Sequence, residues 1–264
     1  AIQAGQTRRV IMDLPPGFFK HRIWAPLHLI SNCVIELTLG DQLNAFKGGQ
    51  SDSYDLSDVS LLGTCLHVDS AIAAGYHQHL GAGMPLPIAY QTVEGTKRIV
   101  TNGSFNLNLA RALTRLKTIY VVIVAASSPN QGTTFVGRIN KDNADPETDL
   151  MNFHLQVGSH RFPDQPATGV AEHYHRLMQA LGKDLDHDSI SLDVGRYLAG
   201  KTVYAINLER MGNEAVFSGI WTMGGKTLTL TVNNAFAGSN AHNVYVFQVA
   251  DFLASIRKGA VDIN

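Results

Sequence analysis

Eleven histidines are the most conspicuous source of chemistry in this chain. His77 and His79 flank Gln78, and His173 and His175 flank Tyr174. Each pair could offer two imidazoles to one metal ion only from a strand, where residues two apart share a face; on a helix they diverge by about 200°. Both segments carry helical spacing, and no third Cys, His or carboxylate follows at zinc-like spacing, so no metal ligand is assigned. Asp184-Leu185-Asp186-His187-Asp188 resembles a calcium loop in composition. It lacks the glycine at the sixth position and the glutamate at the twelfth that such a loop needs, and reads as a solvated turn.

Enzyme motifs are equally thin. There is no Gly-x-Ser-x-Gly elbow and no Gly-x-x-x-x-Gly-Lys-Ser/Thr phosphate loop. Gly81-Ala82-Gly83 supplies two of the three glycines of a dinucleotide fingerprint, with Pro85 where the helix would have to begin. Glu36, Glu94, Glu172, Glu209 and Glu214 include residues that could meet as the acid/base pair of a glycosidase. Trp221, Tyr197 and Tyr204 could form a sugar platform, although core packing is the simpler account of them. Arg111, Arg115 and Lys117 lead into an apolar run without the interleaved aromatics that stack on bases, and read as a solvated strand edge. Asn102-Gly103-Ser104 has the form of a glycosylation acceptor and reads as an Asn-Gly turn. No catalytic, cofactor-binding or metal residue is assigned, and the chain is expected not to be an enzyme and to need no cofactor.

At 264 residues the chain holds about 1.8 domains of ordinary size. Apolar residues make up 45% and charged residues 16%, where about 25% charged is usual. That deficit excludes disorder, coiled coils and salt-bridged helical bundles, which consume Glu and Lys. A net charge of -1 removes any overall drive toward nucleic acid or a membrane surface, leaving shape and apolar contact to hold partners. The longest apolar runs, 119–126 and 244–249, fall well short of the roughly 18 residues that span a bilayer, so no transmembrane segment is expected. The opening residues show neither an initiator Met nor an apolar signal region, which suggests a processed product or a segment. Cys33 and Cys65 lie in apolar contexts, favouring buried free thiols over a disulfide.

The elements that must position these residues are mainly strands. Period-2 patterning predicts them at Cys33–Leu39, Asp55–Val68, Arg115–Ala126, Thr202–Leu208, Ala215–Ile220, Lys226–Val232 and Asn243–Val249. Short strands separated by Gly, Asn and Ser indicate a sandwich or barrel. Two segments depart from that rhythm. Thr168 is placed to cap a helix to about Ala180, with Val170, Tyr174, Leu177, Met178 and Leu181 at helical spacing and Gly182 as a left-handed stop. Asp69–Leu80 predicts a shorter helix, with Ile72, Tyr76 and Leu80 on one stripe and Gly81 and Pro85 ending it. Gly40–Ser53 and Ser127–Asp149 are long polar loops, and the best boundary falls at 95–103.

Several segments, read in order, resemble the major capsid proteins of double jelly-roll viruses: those of large nucleocytoplasmic DNA viruses, polinton-like viruses and, more distantly, the adenovirus hexon. Trp24-Ala-Pro-Leu27 with Cys33–Leu39, and Leu56–Leu62 with Leu66–Ser70, Gly75-Tyr76 and Leu86-Pro-Ile88, are similar to the later strands and exit of the first roll. Ser104–Leu107, Arg111, Arg115-Leu-Lys117 and Ile119–Val124 resemble the opening of the second roll. Gly158–Pro163, the Thr168–Leu181 helix, Val203–Leu208, Phe217–Ile220 and Leu228–Leu230 follow its later order.

The resemblance covers about residues 22–264 and implies an all-β fold of double jelly-roll type with one or two short helices in the connections. It further implies a homotrimer of two-roll subunits forming a pseudo-hexameric capsomer of an icosahedral virion. The partners would be copies of the chain, neighbouring capsomers and minor capsid proteins, without sequence-specific nucleic acid. Assembly would take place in the cytoplasm or nucleus of the infected cell. Two complete rolls need roughly 350 residues or more. Residues 1–95 are therefore expected to be the C-terminal part of a first roll and 96–264 a second roll, unless both rolls are unusually trimmed. A jelly-roll protein that binds or hydrolyses carbohydrate is the alternative.

Overall fold

The computed structural model describes residues 7–12, 17, 34–38, 55–63, 66–110, 113–126, 151–182, 193–198, 202–209, 219–222, 227–236, 239–257 and 260–263. The chain divides into two compact units, Ala1–Gln91 with Phe252–Asn264, and Thr92–Asp251. Among the described residues the strands are β1 (Leu86–Val100), β2 (Phe105–Asn108), β3 (Leu116–Ala125), β4 (Asn152–Val157), β5 (His160–Thr168), β6 (Tyr204–Asn207), β7 (Leu228–Asn233), β8 (His242–Arg257) and β9 (Ala260–Ile263). The helices are α1 (Ser70–Gly81), α2 (Gly169–Ala180) and α3 (Val194–Leu198).

One sheet runs β1-β8-β3-β6, with β9 added to β8, and the other runs β2-β7-β4-β5. From β1 to β8, successive strands alternate between the sheets except at the β4–β5 hairpin, and β1 and β2 each neighbour a strand from the far end of the chain. Two interleaved Greek keys of eight strands have this order. The sandwich is a jelly roll.

Its core comes from period-2 alternation on both sheets. Ile119, Val121 and Ile123 of β3 and Val244 and Val246 of β8 are fully buried, as are Leu155 of β4 and Leu230 and Val232 of β7. Each such side chain contributes about 1.5–3 kcal/mol on burial. The strand expected at Asn243–Val249 extends to Arg257, and Gly95 lies within a continuous β1. Gly103 is required by packing, because a Cβ there would lie 2.1 Å from the Phe236 carbonyl oxygen.

Both expected helices are present. Asp69 caps α1 by accepting the Ala71 N–H at 2.7 Å, and the chain turns at Gly83 with φ +78°. At the start of α2 the expected cap is replaced: the Thr168 side chain makes no cap hydrogen bond, and Glu172 instead reaches back to accept the Thr168 N–H at 2.8 Å. Gly182 stops the helix with φ +66°, as expected of it.

Two expected strands are not formed by the described residues of their segments. Residues 34–38, 55–63 and 66–68 are exposed and outside any strand. Alternation of Ile35 and Leu37, or of Val59 and Leu61, marks the face a strand would bury, but a strand also needs a hydrogen-bonded neighbour. Cys33, Cys65, the 40–53 and 127–149 loops, the 184–188 turn, Arg111, Glu214 and residues 215–218 lie outside the described residues.

Candidate functional site

Three charged side chains meet beside the β3 bulge between Leu116 and Thr118. Lys117 Nζ lies 2.5 Å from Glu209 Oε1 and 3.6 Å from Asp251 Oδ2, and all three side chains are only 10% exposed. The backbone fixes each one. Leu208 N–H donates to the Lys117 carbonyl at 2.7 Å, Asp251 N–H donates to the Arg115 carbonyl at 3.0 Å, and Glu209 N–H donates to Asn207 Oδ1 at 3.0 Å. The sequence suggests a solvated basic edge here, and for Lys117 that is corrected: the bulge turns it into the protein, where desolvation demands partners. Glu209 does meet a second carboxylate, but a lysine stands against both. A glycosidase pair flanks open space for the scissile bond, whereas these two carboxylates are only 10% exposed and stand against a lysine. The arrangement ties β8, β3 and the end of β6 together; it does not make an acid/base pair.

A second polar group is deeper. The His173 ring of α2 stacks on Phe153 of β4 at 5.4 Å between centroids and meets Tyr204 of β6 edge-on at 5.1 Å. Its Nε2–H donates to the Met151 carbonyl at 3.0 Å, while its Nδ1 and the Tyr204 hydroxyl make no hydrogen bond. Burial lowers the His173 pKa, so the ring is neutral, and burial raises that of Tyr204.

The remaining sequence candidates are dispersed. His77 and His79 diverge on α1, where His79 Nε2 contacts the Pro85 carbonyl at 3.3 Å. His175 is exposed while its neighbour His173 is buried. Glu172 accepts from Arg176 at 2.6 Å. Gly81-Ala82-Gly83 forms the end of α1 and its turn. Asn102 Oδ1 accepts the Ser104 N–H at 3.0 Å, making the expected turn. Tyr197 and Tyr204 are fully buried and Trp221 is exposed, so these three form no common surface platform. Among the described residues, no group of three His, Cys, Asp or Glu side chains is placed to hold a metal ion, and no helix is long and apolar enough to cross a membrane.

The outer face of the β1-β8-β3 sheet carries exposed apolar and aromatic side chains. Tyr245 and Phe247 of β8 lie parallel with centroids 6.5 Å apart, and Lys97 Nζ sits 5.6 Å above the Tyr245 ring. Gly95 of β1 lies against the Phe247 ring, which a Cβ there would meet at 3.7 Å, an ordinary contact. Val93, Ile99 and Phe247 remain exposed at 38%, 68% and 37%. The sequence gives no sign of this surface beyond alternation, because its apolar members are spread over two strands far apart in the chain.

No family model and no curated protein matches the chain. Among solved structures it is similar to VP54 of PBCV-1, as fitted into a reconstruction of the virophage Sputnik, with 9% identity over 74% of this chain and 54% of that one and a TM-score of 0.48. It is similar to the mavirus major capsid protein with 10% identity over 69% and 42% of the two chains and a TM-score of 0.37. For the major capsid protein of bacteriophage PM2 the figures are 11%, 62%, 45% and 0.34. These are double jelly-roll viral capsid proteins. The chain spans about half the length of the solved chains it matches.

Proposed function

We propose that this protein is a structural subunit of a viral capsid, associating with copies of itself as homotrimers that act as pseudo-hexameric capsomers of an icosahedral shell. The observation that carries this reading is the complete eight-stranded order, β1-β8-β3-β6 against β2-β7-β4-β5, with an apolar outer face left exposed on the first of these sheets. A shell subunit needs a rigid sandwich, few charges and apolar surface to share with neighbours, since interface cores are depleted in charged residues. The 16% charged content agrees with that need.

On this reading, residues 1–95 are the C-terminal part of a first roll and 96–264 the second, the join falling within β1, which serves as the second roll's first strand. The chain is not an enzyme, and its partners are its own copies, neighbouring capsomers and minor capsid proteins, without sequence-specific nucleic acid. It resides in the virion after assembly in the cytoplasm or nucleus. Carbohydrate binding is not favoured, because two members of the aromatic platform it would use, Tyr197 and Tyr204, are in the core.

Mass photometry and sedimentation of the purified chain at low salt and at 1 M salt test this. Trimers or larger closed assemblies that persist at 1 M salt, where the screening length is about 3 Å, are expected from apolar interfaces. A chain that stays monomeric at micromolar concentration in both buffers overturns the reading.

A further inference from the structure

We propose that His173 is an acid-sensitive latch that holds α2 on the sandwich and releases it when protonated. The latch is a cluster of groups from four places. His173 comes from α2, is 1% exposed and has Nδ1 without a hydrogen bond. Phe153 and the Met151 carbonyl come from β4 and the residue before it, and Tyr204 from β6, its hydroxyl likewise without a hydrogen bond. Tyr197 of α3 stands beyond, edge-on to Tyr174 of α2, with its hydroxyl donating to the Val203 carbonyl.

With Nε2 donating to Met151, the neutral ring is the tautomer that carries its lone pair on Nδ1. Adding a proton there creates a cation and a second N–H donor inside a wall of aromatic carbon. Among the described residues, the Tyr204 hydroxyl, itself without a hydrogen bond, is neutral and supplies no counter-charge. The neighbouring Glu172 carboxylate favours a charged ring, but it is shared with Arg176 and the Thr168 N–H, and Arg176 itself opposes a new positive charge. Tyr197 and Tyr204 are both held neutral by burial. His154, next to Phe153 on β4, has its own pKa lowered by burial and by Arg161, and a histidine side chain, neutral or cationic, supplies no counter-charge. A buried charge without a partner is relieved by exposing it to water.

The helix is the element that can move. α2 follows β5, an end strand of its sheet, and precedes α3 in the chain; it rests on the sandwich through Leu177, Met178 and Ala205, with the Tyr120 hydroxyl donating to the Ala180 carbonyl at 3.1 Å. Lifting it breaks no sheet ladder. The inference holds whether or not the protein forms a capsid.

Amide hydrogen exchange on the full chain at pH 7.5 and 5.5, corrected for intrinsic exchange chemistry, tests the latch. A freed histidine with an ordinary pKa near 6.5 is about 90% protonated at pH 5.5, so protection across α2 should fall by up to about tenfold while β3 and β8 keep theirs. His173→Gln keeps a donor for Met151 without a titrating ring, and should make α2 protection equal at the two pH values. Should that variant fail to fold, His173→Phe, which keeps a ring on Phe153, serves for the same comparison. A pH-dependent loss on α2 that is unchanged in the variant, no loss on α2 in the parent chain, or an equal loss on α2, β3 and β8 would each overturn the proposal.

Discussion

Leu113 and Thr222, 109 positions apart, hold each other through three hydrogen bonds: Leu113 N–H to Thr222 Oγ1 at 2.8 Å, Thr222 Oγ1–H to the Leu113 carbonyl at 2.9 Å, and Thr222 N–H to the same carbonyl at 2.9 Å. Both residues are buried. The pair fastens the lead-in to β3 against the segment beside Ile220, which itself bridges to Leu116. Replacing Thr222 by Val keeps the shape and leaves a buried N–H without an acceptor. Thr222→Val should cost about 1–3 kcal/mol in urea unfolding, and a loss under about 0.5 kcal/mol would show that the clamp is redundant.

The Lys117 triad predicts a sharper effect. Lys117→Met leaves the Glu209 and Asp251 carboxylates buried and facing each other, which should destabilise the fold by about 3–5 kcal/mol. The triple replacement Lys117→Met, Glu209→Gln, Asp251→Asn should recover most of that loss. Denaturation midpoints of the three proteins decide it, and an equally unstable triple variant would mean that packing, not charge, sets the cost.

Gly103→Ala forces a Cβ to within 2.1 Å of the Phe236 carbonyl oxygen, which is backbone and cannot swing aside. The β2 approach must then separate from the segment after β7, with loss of the Ala235 N–H bond to the Gly103 carbonyl. A destabilisation of about 2 kcal/mol or more is expected by thermal or urea unfolding.

Stability should fall with acid in two separable windows. Burial lowers the His173 pKa, so below about 6.5 the unfolded chain binds protons that the folded chain refuses, and stability declines as pH drops through that range. His154 adds to the same window, since burial and Arg161 lower it too. For Glu172, burial alone would raise the pKa, but the Thr168 N–H and Arg176 outweigh it and hold the carboxyl below its ordinary 4.5. Its contribution is complete above 4.5 and lost below. Plots of urea midpoint against pH should therefore flatten only in the lower window for Glu172→Gln and partly in the upper one for His173→Gln.

Ile99→Glu places a charge on the exposed apolar face of β1 without touching the core. If that face is shared between subunits, the variant should shift the population to monomer in mass photometry with an unchanged circular dichroism spectrum. Unaltered assembly would move the interface elsewhere.

Much of this fold is legible in the chain because strand and helix periods are local. The Ile119–Val124 run, the Leu228–Val232 alternation and the Thr168–Ala180 stripe each state their element and buried face without outside help. Low charge and scarce ligand spacing likewise direct attention to packing before chemistry. Tertiary structure alone decides the rest, since pairing and proximity depend on residues far away in sequence. Cys33–Leu39 alternates as β7 does and Asp55–Val68 reads as a strand bent near Gly63, yet their described residues form no strand, because alternation names a face and cannot supply a neighbour. Glu209 was one carboxylate among several until β8 brought Asp251 to Lys117. His173 and His175 are alike in the chain, and only the closure of α2 over Phe153 and Tyr204 buries one ring and leaves the other in water.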